Sequence, residues 1–373
     1  MVLTNEKMMD YCTFCPKMCK FSCPASEAEP NETYTPWGKM QVAKLLTERE
    51  LPLNANLSLA SYKCLDCLRC KEYCTHGVDV PSALHQVRVN AVSDYWAPPE
   101  VYAFEQKFHQ CNNPYGKNLI AEIKKKLPEK FYQKTSDVLY WPSCHTLNFY
   151  PEKILAILEL FEKLKLQNVS VYLSDIQCCG YPLWALGFER EFEELAEVQY
   201  YSLRNCHTIL TDGAECTSLL TNIYSQKSFP LVNKVVHLLE FLQPYLEKVD
   251  YHVKPQLMGA YVYYDSFFLS RHLGIVDSPR ALLEHMTGDK PLELANHGKD
   301  VEACGVGGGY EWLFPELAQK MAQKIIAEVE AKKVHKIVTA NSSEQAMLAS
   351  VTKTCQVQDL LSLLNENIVK VRK

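Results

Sequence analysis

The run YCTFCPKMCKFSCP packs Cys12, Cys15, Cys19 and Cys23 into twelve residues, and KCLDCLRCKEYC adds Cys64, Cys67, Cys70 and Cys74. Their spacings are C-x2-C-x3-C-x3-C-P and C-x2-C-x2-C-x3-C. Three thiolates so spaced can wrap one small inorganic cube, while the fourth points towards a second cube. The expectation is therefore two crossed [4Fe–4S] clusters, Cys12, Cys15, Cys19 and Cys74 holding one and Cys23, Cys64, Cys67 and Cys70 the other. Two zinc sites are the alternative, but zinc favours two C-x2-4-C pairs over two runs of four. A disulfide knot needs an oxidising compartment. One extra residue precedes Cys19 relative to the second run; it loosens the loop and removes no ligand.

The start, MVLTNEKMMDYCTFC, lacks the charged-then-apolar plan of a signal peptide, so the sequence reads as cytoplasmic. Sixteen cysteines in such a chain point to metal or redox chemistry. A net charge of −5 argues against nucleic acid or an anionic membrane surface as partner. No run approaches the ~18 apolar residues of a membrane span, so any membrane association passes through a partner.

The forty residues between the two cysteine runs include TPWGKMQVAKLLTERE, an amphipathic helix after a turn at Pro36 and Gly38. VPSALHQVRVNAVSDYW, after Cys74, has the same period. Both runs thus sit in an α-helical scaffold, residues 1–95. Residues 96–135 read as a linker, with Cys111 incidental.

From residue 136 short β-rich runs alternate with helical patterns, the mark of a parallel α/β arrangement. Strands are expected at 137–141, 169–174 and 207–213, and helices at 152–165, 189–205 and 235–246. The order recurs with strands at 260–266, 291–297 and 336–342, and helices at 278–286, 314–333 and 357–368. The period is about 125 residues, so two copies of one domain follow, 136–250 and 251–373. In the first copy Cys144, Cys178, Cys179 and Cys216 fall in loops after strands. Such loops share one edge of a parallel sheet, so the four thiols converge there. Neighbouring Cys178 and Cys179 can reach two irons of a multi-iron cluster, and Gly180 gives the chain room to turn.

The pattern Cys–x33–CysCysGly–x35–Cys resembles the cysteine-rich "CCG" domain, which occurs twice in the B subunit of heterodisulfide reductase. The helical part resembles the α-helical ferredoxin domain of fumarate reductase iron–sulfur subunits. The whole order, an α-helical twin-cluster ferredoxin domain followed by two repeated α/β (parallel-sheet) CCG domains, is similar to the iron–sulfur subunits of glycolate oxidase and anaerobic glycerol-3-phosphate dehydrogenase. It is also similar to heterodisulfide reductase D subunits. The resemblance implies an electron-transfer subunit without catalytic residues of its own. Its partners would be a flavoprotein dehydrogenase and a membrane quinone-reducing subunit. The alternative is a thiol/disulfide reductase with a catalytic cluster in the first CCG domain.

The departures lie in the CCG motifs. Gly213 replaces one cysteine of the C-x2-C ending, leaving Cys144, Cys178, Cys179 and Cys216 for a third iron–sulfur cluster or zinc. In the second copy Tyr264, Phe267, Ala303, Asn341 and Glu344 stand where the family has histidine and cysteines, and only Cys304 remains. That copy reads as structural, with Phe267 filling the cluster's space and Cys304 a packed thiol. Asp265 and Arg271 are expected to pair and hold a loop. His237 reads as a packed helix residue whose place is taken by Asp359 in the second copy. The GVGGG run at 305–309 lacks the strand–G-x-G-x-x-G–helix context of a nucleotide site.

Overall fold

The computed structural model describes residues 5–132, 136–231, 234–252 and 260–371. The N-terminal part is helical. Helices Asn5–Thr13, Pro36–Thr47 and Val80–Ser93 enclose a small core of Met8, Met9, Met40, Ala43, Leu84 and Val87. The turn expected at Pro36 and Gly38 lies earlier. Thr35 caps the helix by accepting from Gly38 N at 3.1 Å, and Pro36 takes the first helical position, where its missing N–H costs nothing. Gly38 is required inside the helix, because a Cβ would stand 2.2 Å from Glu32 O. Residues 96–135 carry the helices Pro99–His109 and Ala121–Lys126, with Val101, Phe104, Phe108 and Ile123 buried in the main core.

The first repeat is a parallel sheet of β1 (Val138–Trp141), β2 (Val169–Val171), β3 (Thr208–Thr211) and β4 (Lys234–His237), in the order β2-β1-β3-β4. Tyr140 lies opposite both Val171 and Leu210. Helices Pro151–Lys163 and Glu189–Leu203 follow β1 and β2 and bury their apolar stripes. β5 (Val249–Tyr251) pairs antiparallel with β9 (Ile368–Val371), tying the two repeats together.

The second repeat holds β6 (Val262–Tyr263), β7 (Lys336–Thr339) and β8 (Gln356–Asp359), all parallel. A single bridge from Val262 to Leu292 stands where β2 stands in the first repeat. The strand expected at 291–297 is thus reduced to one bridge. Two expected helices also need correction: 235–237 and 357–359 are strand, and the helices begin at Leu238 and Leu360. Among the described residues no helix is long and apolar enough to cross a membrane.

Candidate metal centres

Cys12 ends the first helix, Cys15 and Cys19 lie in the loop after it, and Cys23 immediately precedes the helix Pro24–Ala28. Cys64 and Cys67 occupy the loop after Ala55–Tyr62, Cys70 a four-residue helix and Cys74 its exit. Asp66 and Leu68 both adopt left-handed backbone, which is costly for residues with a Cβ and curls the loop around Cys67.

The thiols fall into two sets of neighbours. Cys12 lies among Cys19, Cys74 and Cys15. Cys70 lies among Cys67, Cys64 and Cys23, with Cys19 beyond them. Burial, reinforced by thiolate neighbours, pushes Cys12 up to about 12 and Cys19 up to about 11. Burial pushes Cys64 up to about 12. Such groups cannot all ionise together in an apolar setting without a positive charge between them, so both sets fit a multivalent metal core.

The third set lies on the carboxyl edge of the first repeat's sheet. Cys144 opens the helix Cys144–Phe149, Cys178 and Cys179 follow β2, and Cys216 sits in Ala214–Ser218. All four are at least nine-tenths buried. Cys144 Sγ is 3.9 Å from Cys178 Sγ, and contacts continue from Cys178 to Cys179 and from Cys179 to Cys216. The thiols thus form a chain. Among the described residues, no three His, Cys, Asp or Glu side chains converge as they would around a single metal ion. Gly180 has φ +94°, and a Cβ there would meet Phe192 at 2.9 Å. A Cβ on Gly213 would stand 3.1 Å from Cys216 Sγ, so a cysteine at that position would project into the same thiol group. Asp212 fixes the approach by accepting from Ser143 N at 2.7 Å and Tyr140 Oη at 3.1 Å.

The second repeat offers no such set. Phe267 is fully buried with its ring 4.2 Å from that of Phe268. Cys304 is fully buried too, and burial raises its thiol far above the ordinary range. We expect Cys304→Ala to leave metal content unchanged and Cys179→Ala to abolish whatever metal the first repeat holds; metal analysis of the two purified variants checks this.

What this repeat does instead was not visible in the sequence. Asn341 Nδ2 and Ser343 Oγ donate to Glu215 Oε1 at 3.0 and 2.5 Å, next to Cys216. Burial, and then the neighbouring Glu215, hold the Glu344 carboxyl well above the usual carboxylate range. Asp265 does not pair with Arg271. Its partner is Arg280, in a bidentate bridge at 2.7 and 2.6 Å. Arg271 reaches the ferredoxin part and donates to Cys67 O, while also holding Lys299 O and Val301 O at 2.8 Å. His272 donates to Asp66 O at 2.8 Å, and Arg69 donates to Asp300 and Glu302 at 3.1 and 2.9 Å. The GVGGG run serves the same junction. A Cβ on Gly307 or Gly308 would stand 2.6 Å from Leu65 O or 2.3 Å from Cys64 O, so only glycine permits this approach of backbone to the cysteine loop.

His237 ends β4 and caps the next helix, its Nδ1 accepting from Leu239 N at 3.3 Å; burial lowers it to about 3, so it is neutral. Asp359 caps the matching helix of the second repeat and pairs with Lys153 of the first at 2.6 Å. Cys111 is a free, half-buried thiol.

Comparison with known proteins finds matches in all three parts. Residues 8–78 match the 4Fe-4S dicluster domain, and residues 138–221 and 262–349 each match the cysteine-rich domain. The chain is 25% identical over 361 residues to the D subunit of dihydromethanophenazine:CoB–CoM heterodisulfide reductase from Methanosarcina mazei, covering 88% of this chain and 86% of that one. It is 27% identical to the B subunit of fumarate reductase (CoM/CoB) from Methanothermobacter marburgensis, covering 74% of this chain and 54% of that one. It is 25% identical to lactate utilization protein A of Geobacillus kaustophilus, covering 58% of this chain and 93% of that one. A helical domain of two thiol sets, followed by two copies of a parallel α/β domain, is thus the order in which this chain matches a 4Fe-4S dicluster domain and two cysteine-rich domains.

Proposed function

We propose that this protein is the electron-transfer subunit of an oxidoreductase complex. Cys12, Cys15, Cys19 and Cys74 would hold one [4Fe–4S] cluster and Cys23, Cys64, Cys67 and Cys70 the other. The observation that carries this reading is the crossing of the thiol sets, since Cys74 neighbours Cys12 and Cys19 while Cys23 neighbours Cys70. Bound there, the clusters supply one-electron chemistry. The thiols would bind them, with Cys12, Cys64, Cys70 and Cys74 packed against the core of Met8, Met40, Val78 and Val80. Cys144, Cys178, Cys179 and Cys216 would hold a third cluster. Their chain of contacts, with a gap at Gly213, suits several irons better than one zinc ion. The proposed division of the chain is 1–95, 96–135, 136–250 and 251–373.

The donor is proposed to be a flavoprotein dehydrogenase and the acceptor a quinone-reducing subunit or another carrier. The loop of the first thiol set exposes Phe14, Met18 and Phe21 at 88%, 66% and 63%. Large apolar side chains so exposed beside a redox group suit a partner surface. The rival, a heterodisulfide-reductase-like thiol/disulfide reductase, draws support from the heterodisulfide reductase relative, but the second repeat brings no set of thiols to it.

Anaerobically purified protein should contain roughly eight to twelve irons, four for each cluster. Cys74→Ser and Cys12→Ser should lose the same electron paramagnetic resonance (EPR) signal. If Cys74→Ser instead matches Cys64→Ser, the crossed assignment is wrong.

A further inference from the structure

Lys39 lies in the helix Pro36–Thr47 and is only 1% exposed. Its Nζ stands 3.5 Å from Cys23 Sγ, the one hydrogen-bond acceptor it has among the described residues. Cys64 and Cys70 also face it. A buried ammonium is costly unless a counter-charge meets it. Asp66 is near but is shared with Arg88 at 3.6 Å. The counter-charge of Lys39 is therefore the thiol set itself.

Among the described residues, no buried cation meets a thiol of the other set. The charged neighbours of Cys12 and Cys19 are other cysteines. The lysines of that loop are turned aside, Lys17 and Lys20 pairing with Glu32 at 3.4 and 2.5 Å. Each set has one N–H donor to a thiol at 3.5 Å, Lys39 Nζ to Cys23 Sγ in this one and Val78 N to Cys74 Sγ in the other, so the two differ by one buried positive charge.

We propose that Lys39 sets the order of potentials, making the set of Cys23, Cys64, Cys67 and Cys70 the better electron acceptor of the two. This rests on the twin-cluster reading above. Uptake of one electron adds one negative charge to a thiolate-bound group, and no bond at Lys39 forms or breaks. A fixed cation beside a ligand sulfur stabilises the reduced form more than the oxidised one, raising the potential. Lys39 is a positioning and tuning residue here. An electron entering at the exposed loop of Phe14 and Phe21 would come to rest beside Lys39, on the side facing Arg271 and the cysteine-rich repeats.

The test is an EPR-monitored redox titration of the anaerobic full-length holoprotein, as wild type and as Lys39→Met, Lys39→Arg and Lys39→Gln. The signal lost in Cys12→Ser identifies the set without the lysine. Lys39→Met should move the higher of two midpoints to more negative potential and leave the lower in place. Lys39→Arg, which keeps charge and donor, should restore most of the shift. Unchanged midpoints with iron retained overturn the proposal, as does an equal shift of both. If Lys39→Met loses iron, Lys39→Gln decides: a wild-type midpoint overturns the proposal and a lowered one upholds it. Wild-type protein with fewer than two reducible clusters would instead remove the twin-cluster reading, before any variant is compared.

Discussion

Arg88→Ala should be among the most damaging single substitutions in this chain outside the cysteines. The guanidinium is 1% exposed and donates to four backbone carbonyls drawn from all three parts of the molecule. Ser61 O and Cys64 O belong to the ferredoxin part, at 2.7 and 2.9 Å. Ala185 O in the first repeat lies at 2.6 Å and Gly308 O in the second at 3.3 Å. Gly187 packs on the Arg88 backbone so closely that a Cβ would stand 2.5 Å away. Removing the side chain leaves buried carbonyls without donors and Asp66 without its cation. The expected loss is about 3–5 kcal/mol, the size found when one member of a buried ionic network is deleted. Thermal melting should fall by roughly 10 °C. Arg88→Lys should recover less than half, because an ammonium cannot reproduce the planar fork. A melting temperature within about 2 °C of wild type for Arg88→Ala would show that the junction does not depend on this residue.

Phe267→Ala should cost about 3–5 kcal/mol as well, by opening a cavity where the ring now fills the second repeat. The ring is fully buried, and its Cζ stands 2.8 Å from where a Cβ on Gly307 would lie. It therefore packs directly against the glycine run that approaches the Cys64 loop. Denaturant melts of Phe267→Ala and Phe267→Leu separate volume from chemistry, since leucine should restore most of the loss. Iron content should stay at the wild-type value in both. A fall in iron without a fall in stability would mean that the ring guards a metal centre instead of replacing one.

The two groups of neighbouring thiols were legible in the sequence, because cysteines two or three residues apart stay close in space. The repeat was legible too, through the alternation of strand and helix. The strands at 234–237 and 356–359 were not, for a local reason. In KVVHLLEFL and QVQDLLSLL a buried strand runs straight into an amphipathic helix, and one apolar run carries both periods. PLELANH alternates like a strand, yet only Leu292 finds a partner. Arg271 looks, from sequence alone, like the partner of Asp265, but proximity along the chain is weak evidence of contact. Its real acceptor, Cys67 O, lies 204 positions away. The grip of Arg271, His272, Asp300 and Glu302 on the cysteine loop depends on how the domains dock, which no local pattern records.

That grip has a consequence for how the protein is made. Arg69 and its carboxylate partner Asp300 are 231 positions apart. Synthesis runs from the N-terminus at ~5–20 residues per second, so the cysteine loop leaves the ribosome about 10–50 s before the segment that closes over it. During that interval the loop's thiols stand open to an iron–sulfur donor. Afterwards Arg271 and His272 hold the loop's backbone through Cys67 O and Asp66 O. Insertion before that closure is the expected course, so slowing translation between residues 75 and 265 should raise the fraction of protein that carries its full iron.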